Sequence, residues 1–272
     1  MKQALVIDLG RIEYGAAWEL QRRLVAARKA ALVPDLLLLC EHPHTITLGR
    51  NGKLDHLRAS PELLRQMDVA FFETDRGGDI TYHGPGQLVG YPILDLAGMR
   101  RDVSWYVSGL EEAMIRTAAE WGIAARRVPE RRGVWVETAA GLPAGTGGGA
   151  REGRKDEPND EQKLGAIGVH VSRWVTSHGF ALNVSTALRY FDLIVPCGIA
   201  GKRATSLEKL LGRPVHLREV APRVTAHFGA VFALPWRQAG VAELEAMLAP
   251  GASRTGPGAA GDETRAVNVA GD

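Results

Sequence analysis

Residues 165–184 read GAIGVHVSRWVTSHGFALNV. Apolar residues alternate twice along this stretch, with Val169, Val171 and Val175 on one side, then Phe180, Leu182 and Val184 after a break at His178 and Gly179. A period of two sends successive side chains to opposite faces of an extended chain, so the stretch predicts a β-hairpin. Outward from it, the runs ALVIDL (4–9), DLLLLCEH (35–42), VAFFET (69–74), LVGYPILDL (88–96) and GVWVE (133–137) are short, apolar and bounded by Gly, Pro or polar residues. These read as strands. Helical spacing appears between them. Leu110, Ala113, Met114, Thr117, Ala118 and Trp121 share one face, and Gly122 can end that helix as a left-handed cap. A second helix over 15–32 turns Leu20, Leu24 and Ala27 inward, and a third near 218–232 aligns Val220, Val224, Phe228 and Val231. Strands and helices mixed in this way predict an α/β fold.

The 272 residues are 45% hydrophobic and 24% charged, enough for a sizeable core in one large domain. Two stretches are too rich in Gly, Pro and charge to offset chain entropy: AAGLPAGTGGGAREGRKDEPNDEQ (139–162) and the tail from Pro250. The expected organisation is a single domain over 1–249, carrying a flexible loop insertion at 139–162, then a disordered tail over 250–272. Lys plus Arg total 33 against 31 Asp plus Glu, a net +2 that gives no electrostatic case for a nucleic-acid or membrane partner. No apolar run approaches the roughly 18–20 residues needed to span a bilayer. The N-terminus reaches Asp8 before any long apolar stretch and lacks a signal-peptide cleavage site. With only two cysteines there is no disulfide framework, and a reduced, cytoplasmic location is expected.

The densest cluster of unusual residues is RGGDITYHGPGQLVGYP (76–92). Its glycines let the backbone approach a ligand or present amides as donors. Tight turns use the same residues but leave Arg76, His83 and Gln87 unexplained. The spacing of Gly84, Pro85 and Gly86 is not that of a dinucleotide loop. GIAGKRATS (198–206) fails as a phosphate loop, because Pro196 and Arg203 stand where Gly and Ser/Thr are required. Thr205 and Glu208 read as a capping box opening a helix at SLEKLL. Cys40, His42 and His44 alternate, but Cys40 closes an apolar run and Pro43 interrupts the strand, so they read as packing residues and no metal site is expected. Cys197 sits between Pro196 and Gly198 after FDLIVP, in a turn leaving a strand. Thiols react as thiolates, so a working cysteine needs a cation, a base or amide dipoles nearby. The candidates are Lys163, His83, His170 and His178. Lys163 stands where polar DEQ gives way to LGAIGVHV, at the mouth of a strand, where an amine can take a proton from a thiol and return it to a leaving group.

Taken together, RGGDITYHGPGQLVGYP, KLGAIGVHVSRWVTSHGFALNV and PCGI followed by TSLEKLL resemble the lipoyl(octanoyl) transferases. EHPHTITLGR (41–50) and GVWVE match that family's order, and the likeness spans about residues 5–232. The resemblance implies a biotin/lipoate protein ligase-like fold, a mixed β-sheet with flanking helices. It also implies a reaction: an octanoyl group passes from the phosphopantetheine thioester of acyl-carrier protein to a lysine of lipoyl domains, those of 2-oxoacid dehydrogenase complexes and glycine-cleavage H protein. No cofactor is implied, and no ATP. On the same resemblance, Cys197 is the nucleophile that forms an acyl-thioester and Lys163 its proton partner. Arg76, Gly77, Gly78, Asp79, Ile80, Thr81, Tyr82 and His83 match a substrate-binding loop. Ala166, Ile167 and Gly168 match a second wall, and Gly179, Phe180 and Ala181 a third, where small residues suit an acyl chain passing the backbone. The basic run RRVPERR (126–132) is either a docking patch for acidic partners or a solvated loop. Alternative readings are an ATP-dependent lipoate or biotin protein ligase, which has no need of Cys197, a cysteine hydrolase, and a non-catalytic lipoyl-domain or acyl-chain binder.

Overall fold

Strands that are apolar without interruption need cover on both faces, and this requirement organises the molecule. The computed structural model of the protein describes residues 3–137, 161–195 and 203–249. The chain runs β1 (Ala4–Arg11), α1 (Tyr14–Lys29), β2 (Leu36–Glu41), β3 (Thr45–Leu48), α2 (Pro61–Gln66), β4 (Ala70–Glu73), β5 (Ile80–His83) and β6 (Gln87–Ile93). It continues with α3 (Val103–Ala119), β7 (Ala125–Val128), β8 (Arg131–Glu137), β9 (Glu161–Ser172), β10 (Val175–Asn183) and β11 (Arg203–Ala204). The last described elements are α4 (Leu207–Leu211), α5 (Leu217–Phe232), β12 (Trp236–Ala239) and α6 (Val241–Leu248).

The main sheet is mixed, in the order β12-β1-β2-β6-β10-β9-β8-β7, with β11 parallel to β9. Alternation along β1 and β2 sends Leu5, Ile7, Leu36 and Leu38 toward α1, where they pack with Ala17, Leu20 and Leu24. Val6, Leu37 and Leu39 go to the other face and join Leu110 and Met114 of α3 with Val220, Val224 and Phe228 of α5. In α5 the buried face ends on Phe232 rather than Val231, which is only partly covered. A smaller sheet, β4-β3-β5, carries its own core of Ile46, Ile80 and Tyr82 with Tyr190 and Ile194.

The predicted hairpin is β9 and β10. Its turn is Arg173–Trp174, both at positive φ (50° and 65°), the backbone hand that matches strand twist. The expected break at His178 and Gly179 is not one: β10 runs through, pairing His178 with Val169 even though His178 has φ 54°. Glu161 and Gln162, expected to lie in the insertion, are the first residues of β9. The rest of that expectation, 139–160, and the tail expected over 250–272 lie outside the described residues. The helix at SLEKLL is capped one residue later than expected. Ser206 accepts from the Lys209 amide, whereas the buried Thr205 hydroxyl has no hydrogen-bond partner among the described residues.

The two sheets meet along a polar, aromatic seam. His42 is wholly buried; its Nδ1 donates to the Ile12 carbonyl at 2.7 Å, which leaves Nε2 to accept from the Tyr91 hydroxyl at 2.7 Å. Tyr14 stacks on His83 and meets His42 edge-on. Cys40 packs beside His42 and is buried, and His44 hydrogen-bonds the Tyr82 hydroxyl. Burial, with a smaller contribution from His42, pushes His83 down to about 3, and burial pushes His42 down to about 4.

Unfolded histidine titrates near 6.5, so below that pH the unfolded chain binds protons that His42 and His83 refuse in the fold. Stability is then complete above about pH 6.5 and falls as pH drops toward 4. Unfolding followed from pH 8 to 4.5 should show this loss, and His83→Gln should reduce the proton uptake on unfolding near pH 5 by about one. At the α4 cap, Ser206→Ala should cost about 1 kcal/mol in denaturant melts. Thr205→Val, which deletes a buried hydroxyl with no partner among the described residues, should be neutral or stabilising.

Candidate active site

The β9–β10 register sets Ala166 opposite Ala181, Ile167 opposite Phe180 and Gly168 opposite Gly179. The second and third expected walls are therefore one continuous surface. It borders a cavity of about 370 Å³, closed by Ile80 and Thr81 of β5, Val89 and Tyr91 of β6, Trp135 of β8 and the segment carrying Arg76, Gly78 and Asp79. Lys163 and His83 also line it. Of the residues expected in the substrate loop, Gly77 and Tyr82 do not. The Gly77 amide donates to the Val169 carbonyl, and the Tyr82 ring stacks on Tyr190. Cys197 lies outside the described residues.

The glycines of the wall are required by protein contacts. A Cβ on Gly168 would come within 2.8 Å of the Gly77 carbonyl, and one on Gly179 within 2.1 Å of the Gly90 carbonyl. Arg76 clamps the loop: its guanidinium donates to the Thr47 carbonyl (2.6 Å), the Thr47 hydroxyl and the Gly77 carbonyl. The loop is thus held between β3 and β9.

Lys163 projects near the start of β9, its Nζ 5.0 Å from the centroid of the Trp135 ring. Its carbonyl accepts from the Thr205 amide at 2.9 Å, and Ala204 pairs with it across β11 and β9. On the other flank, the Val195 amide donates to the His56 carbonyl at 2.7 Å, and His56 Nδ1 lies 2.6 Å from Asp79 Oδ2. The described residues on both sides of 196–202 are therefore attached to cavity walls, one through Asp79 and the other through Lys163.

His83 belongs to a chain whose polarity is fixed by backbone carbonyls, which only accept. Gln87 Nε2 donates to the Tyr82 carbonyl and to Asn183 Oδ1 (2.9 Å), and Asn183 Nδ2 donates to the Thr205 carbonyl (2.9 Å). Gln87 Oε1 is left to accept, so His83 Nδ1, 2.8 Å away, carries the proton. Neutral His83 then holds an unprotonated Nε2. Gln87 had stood out in the sequence as unexplained. Asn183 had not, because its partner Thr205 is distant along the chain.

The remaining histidine candidates form a separate cluster. His178 Nε2 is 2.8 Å from Asp75 Oδ1, and His170 is 3.8 Å from the same carboxylate. The hydrogen bond from His178 holds Asp75 down to about 2, while burial pushes His178 itself below its ordinary value. Val169, the partner of His178, is six residues along β9 from Lys163, about 20 Å at strand rise. These histidines are at the far end of the wall from Lys163.

The run RRVPERR forms β7 and the start of β8 rather than a solvated loop. Arg126 and Arg131 pair with Glu161, and Arg127 pairs with Glu111 and Glu112. Most of its charge is matched within the fold. Arg131 and Arg132 border the cavity.

Known proteins place this geometry. Residues 13–229 match the family model for the lipoyl protein ligase A/B catalytic domain. The octanoyltransferase of Solibacter usitatus is 51% identical over 232 residues, covering 85% of this chain and 94% of its own. That of Syntrophobacter fumaroxidans is 42% identical over 248 residues, covering 91% and 99%. Among solved structures, the bi-partite lipoate protein ligase of Thermoplasma acidophilum, described with its E2 lipoyl domain, superposes with a TM-score of 0.66 at 14% identity, covering 91% of each chain. A lipoate-protein ligase A bound with ATP gives 0.62 at 14% identity, covering 91% of this chain and 92% of its own. At such identity these two share the fold. Family model and relatives agree across most of the chain, and the protein belongs to the lipoyl protein ligase A/B catalytic domain family, among its octanoyltransferases.

Proposed function

We propose that this acyltransferase takes an octanoyl group from the phosphopantetheine thioester of acyl-carrier protein, holds it as a thioester on Cys197, and delivers it to a lysine of lipoyl domains. The observation that carries the reading is the place of Lys163. Its side chain lines the cavity, and its backbone pairs with β11, which resumes the described chain after the segment containing Cys197. The octanoyltransferase relatives support the acyl group, and the archaeal ligase described with its lipoyl domain supports the acceptor.

The chemistry balances with one base. Neutral Lys163 takes the thiol proton from Cys197, and the thiolate attacks the donor's carbonyl carbon. The carbon–sulfur bond to pantetheine breaks, and the departing sulfur receives the proton from the Lys163 ammonium. In the second half the acceptor amine attacks the Cys197 thioester and gives its proton to Lys163 as the amide forms. The Cys197 sulfur then leaves as thiolate. The incoming thioester is already activated, so no nucleotide is consumed. A wall of Ala166, Ile167, Phe180 and Ala181 suits an alkyl chain and limits the water that would hydrolyse the intermediate.

Intact-mass measurement after exposure to octanoyl acyl-carrier protein should show one octanoyl group added to the protein and none added to Cys197→Ala. Cys40 is buried and its thiol is pushed well up by that burial, so it should stay unmodified. Transfer to a lipoyl domain should proceed without ATP. An adduct that survives in Cys197→Ala, or a strict ATP requirement, would overturn the reading. Lys163→Ala should slow transfer by about 10²–10⁴-fold, the usual range for loss of a proton-transfer group.

A further inference from the structure

We propose that Gln87 and Asn183 are positioning residues for acyl transfer, acting through Lys163. The inference rests on the reading of Lys163 as the proton carrier. Both residues are almost completely buried, at 1% and 4% exposure. They border a small cavity of about 30 Å³ that Lys163, Trp135 and Arg203 also line, so they lie directly behind the proposed reacting end of the site.

Gln87 and Asn183 are partners on the β6–β10 ladder, and their side chains reach from β5 to the end of β11, two strands not paired with each other among the described residues. At one end Gln87 holds His83 and the Tyr82 carbonyl, on β5. At the other, Asn183 holds the Thr205 carbonyl, whose own amide donates to the Lys163 carbonyl. β11 is two residues long, too short to fix its register by ladder bonds alone. The Thr205 hydroxyl, which sits at the same place, makes no hydrogen bond among the described residues. Asn183 therefore adds a side-chain attachment at Thr205 to the backbone bond from the Glu208 amide to the Val184 carbonyl, and Gln87 holds the Asn183 amide oxygen. A buried amide pair is a costly way to fill space unless every donor and acceptor is used. Both ends of each amide are hydrogen-bonded.

Such a role predicts coupling to Lys163 rather than a general loss of fold. The test is single-turnover octanoyl transfer from acyl-carrier protein to a lipoyl domain with four forms of the full chain: wild type, Asn183→Ala, Lys163→Ala and the double variant. Positioning predicts that Asn183→Ala slows transfer about tenfold or more in the wild-type background, changes the donor KM by less than about twofold, and adds less than about twofold in the Lys163→Ala background. Asn183→Asp keeps the acceptor toward Gln87 and loses the donor toward Thr205, so it should reproduce the loss. Equal fold-losses in both backgrounds, or no loss from Asn183→Ala, would overturn the inference. Full activity in Lys163→Ala alone would instead overturn the proton-carrier reading beneath it. If Asn183→Ala does not fold, Asn183→Ser enters the same cycle with the same criteria.

Discussion

Ala166 faces Ala181 and Gly168 faces Gly179 on the β9–β10 ladder, and the remaining features of the site depend on that register. A slip of one residue would turn Phe180 and Leu182 away from the α3–α5 core. The turn that fixes it is unusual, since Arg173 and Trp174 both adopt a backbone conformation that glycine or asparagine would hold more easily. Apolar packing on both faces of β10 outweighs that local cost. Val175 and Ala181 enter the α1 core, while Phe180, Leu182 and Val184 belong to the α3–α5 core or its edge. The hairpin is thus placed by two cores at once, which leaves its central residues little freedom.

Much of the fold was legible because its signals are local. Continuous apolar runs such as LLLLC mark strands covered on both faces, and the spacing of Leu110, Met114 and Ala118 marks a helix against a sheet. What escaped the sequence was either non-local or conformational. The N-cap at Ser206 and the reading at Thr205 differ by one residue, and either side chain suits the position chemically, so the sequence alone does not separate them. His178 looked like a break because a histidine beside a glycine interrupts apolar alternation. The strand continues because its amide is held by Gln21 and its ring by Asp75, partners far away in the chain.

The candidate site divides in the same way. The loop and the two walls were found through motif resemblance, and the structure gathers most of their side chains around one cavity. Motifs do not say why a residue is there. Gly168 and Gly179 answer to neighbouring carbonyls, and Arg76 answers to Thr47, so part of the motif maintains the cavity's shape. RRVPERR was read by charge alone. Charge matching is a property of partners, and Glu111, Glu112 and Glu161 are brought to it by α3 and β9.

The distribution of ionisable groups along the hairpin bears on what the cavity can hold. Between Lys163 and His170 on β9, and between His178 and Asn183 on β10, no side chain is ionisable. Charge is confined to the two ends, with Lys163 over Trp135 at one and the Asp75 cluster at the other. A charged or strongly polar ligand laid along this wall would lose its hydration and gain nothing from the wall's side chains, whereas an alkyl chain loses nothing of the kind. The neutral state of His83 extends the same rule. Its ring faces the cavity, yet burial and the amide of Gln87 keep it uncharged, so it offers a hydrogen-bond acceptor without a cation that would demand a counter-ion. In the proposed reaction Lys163 is the amine that changes charge, and the hairpin residues between it and His170 hold no other ionisable side chain.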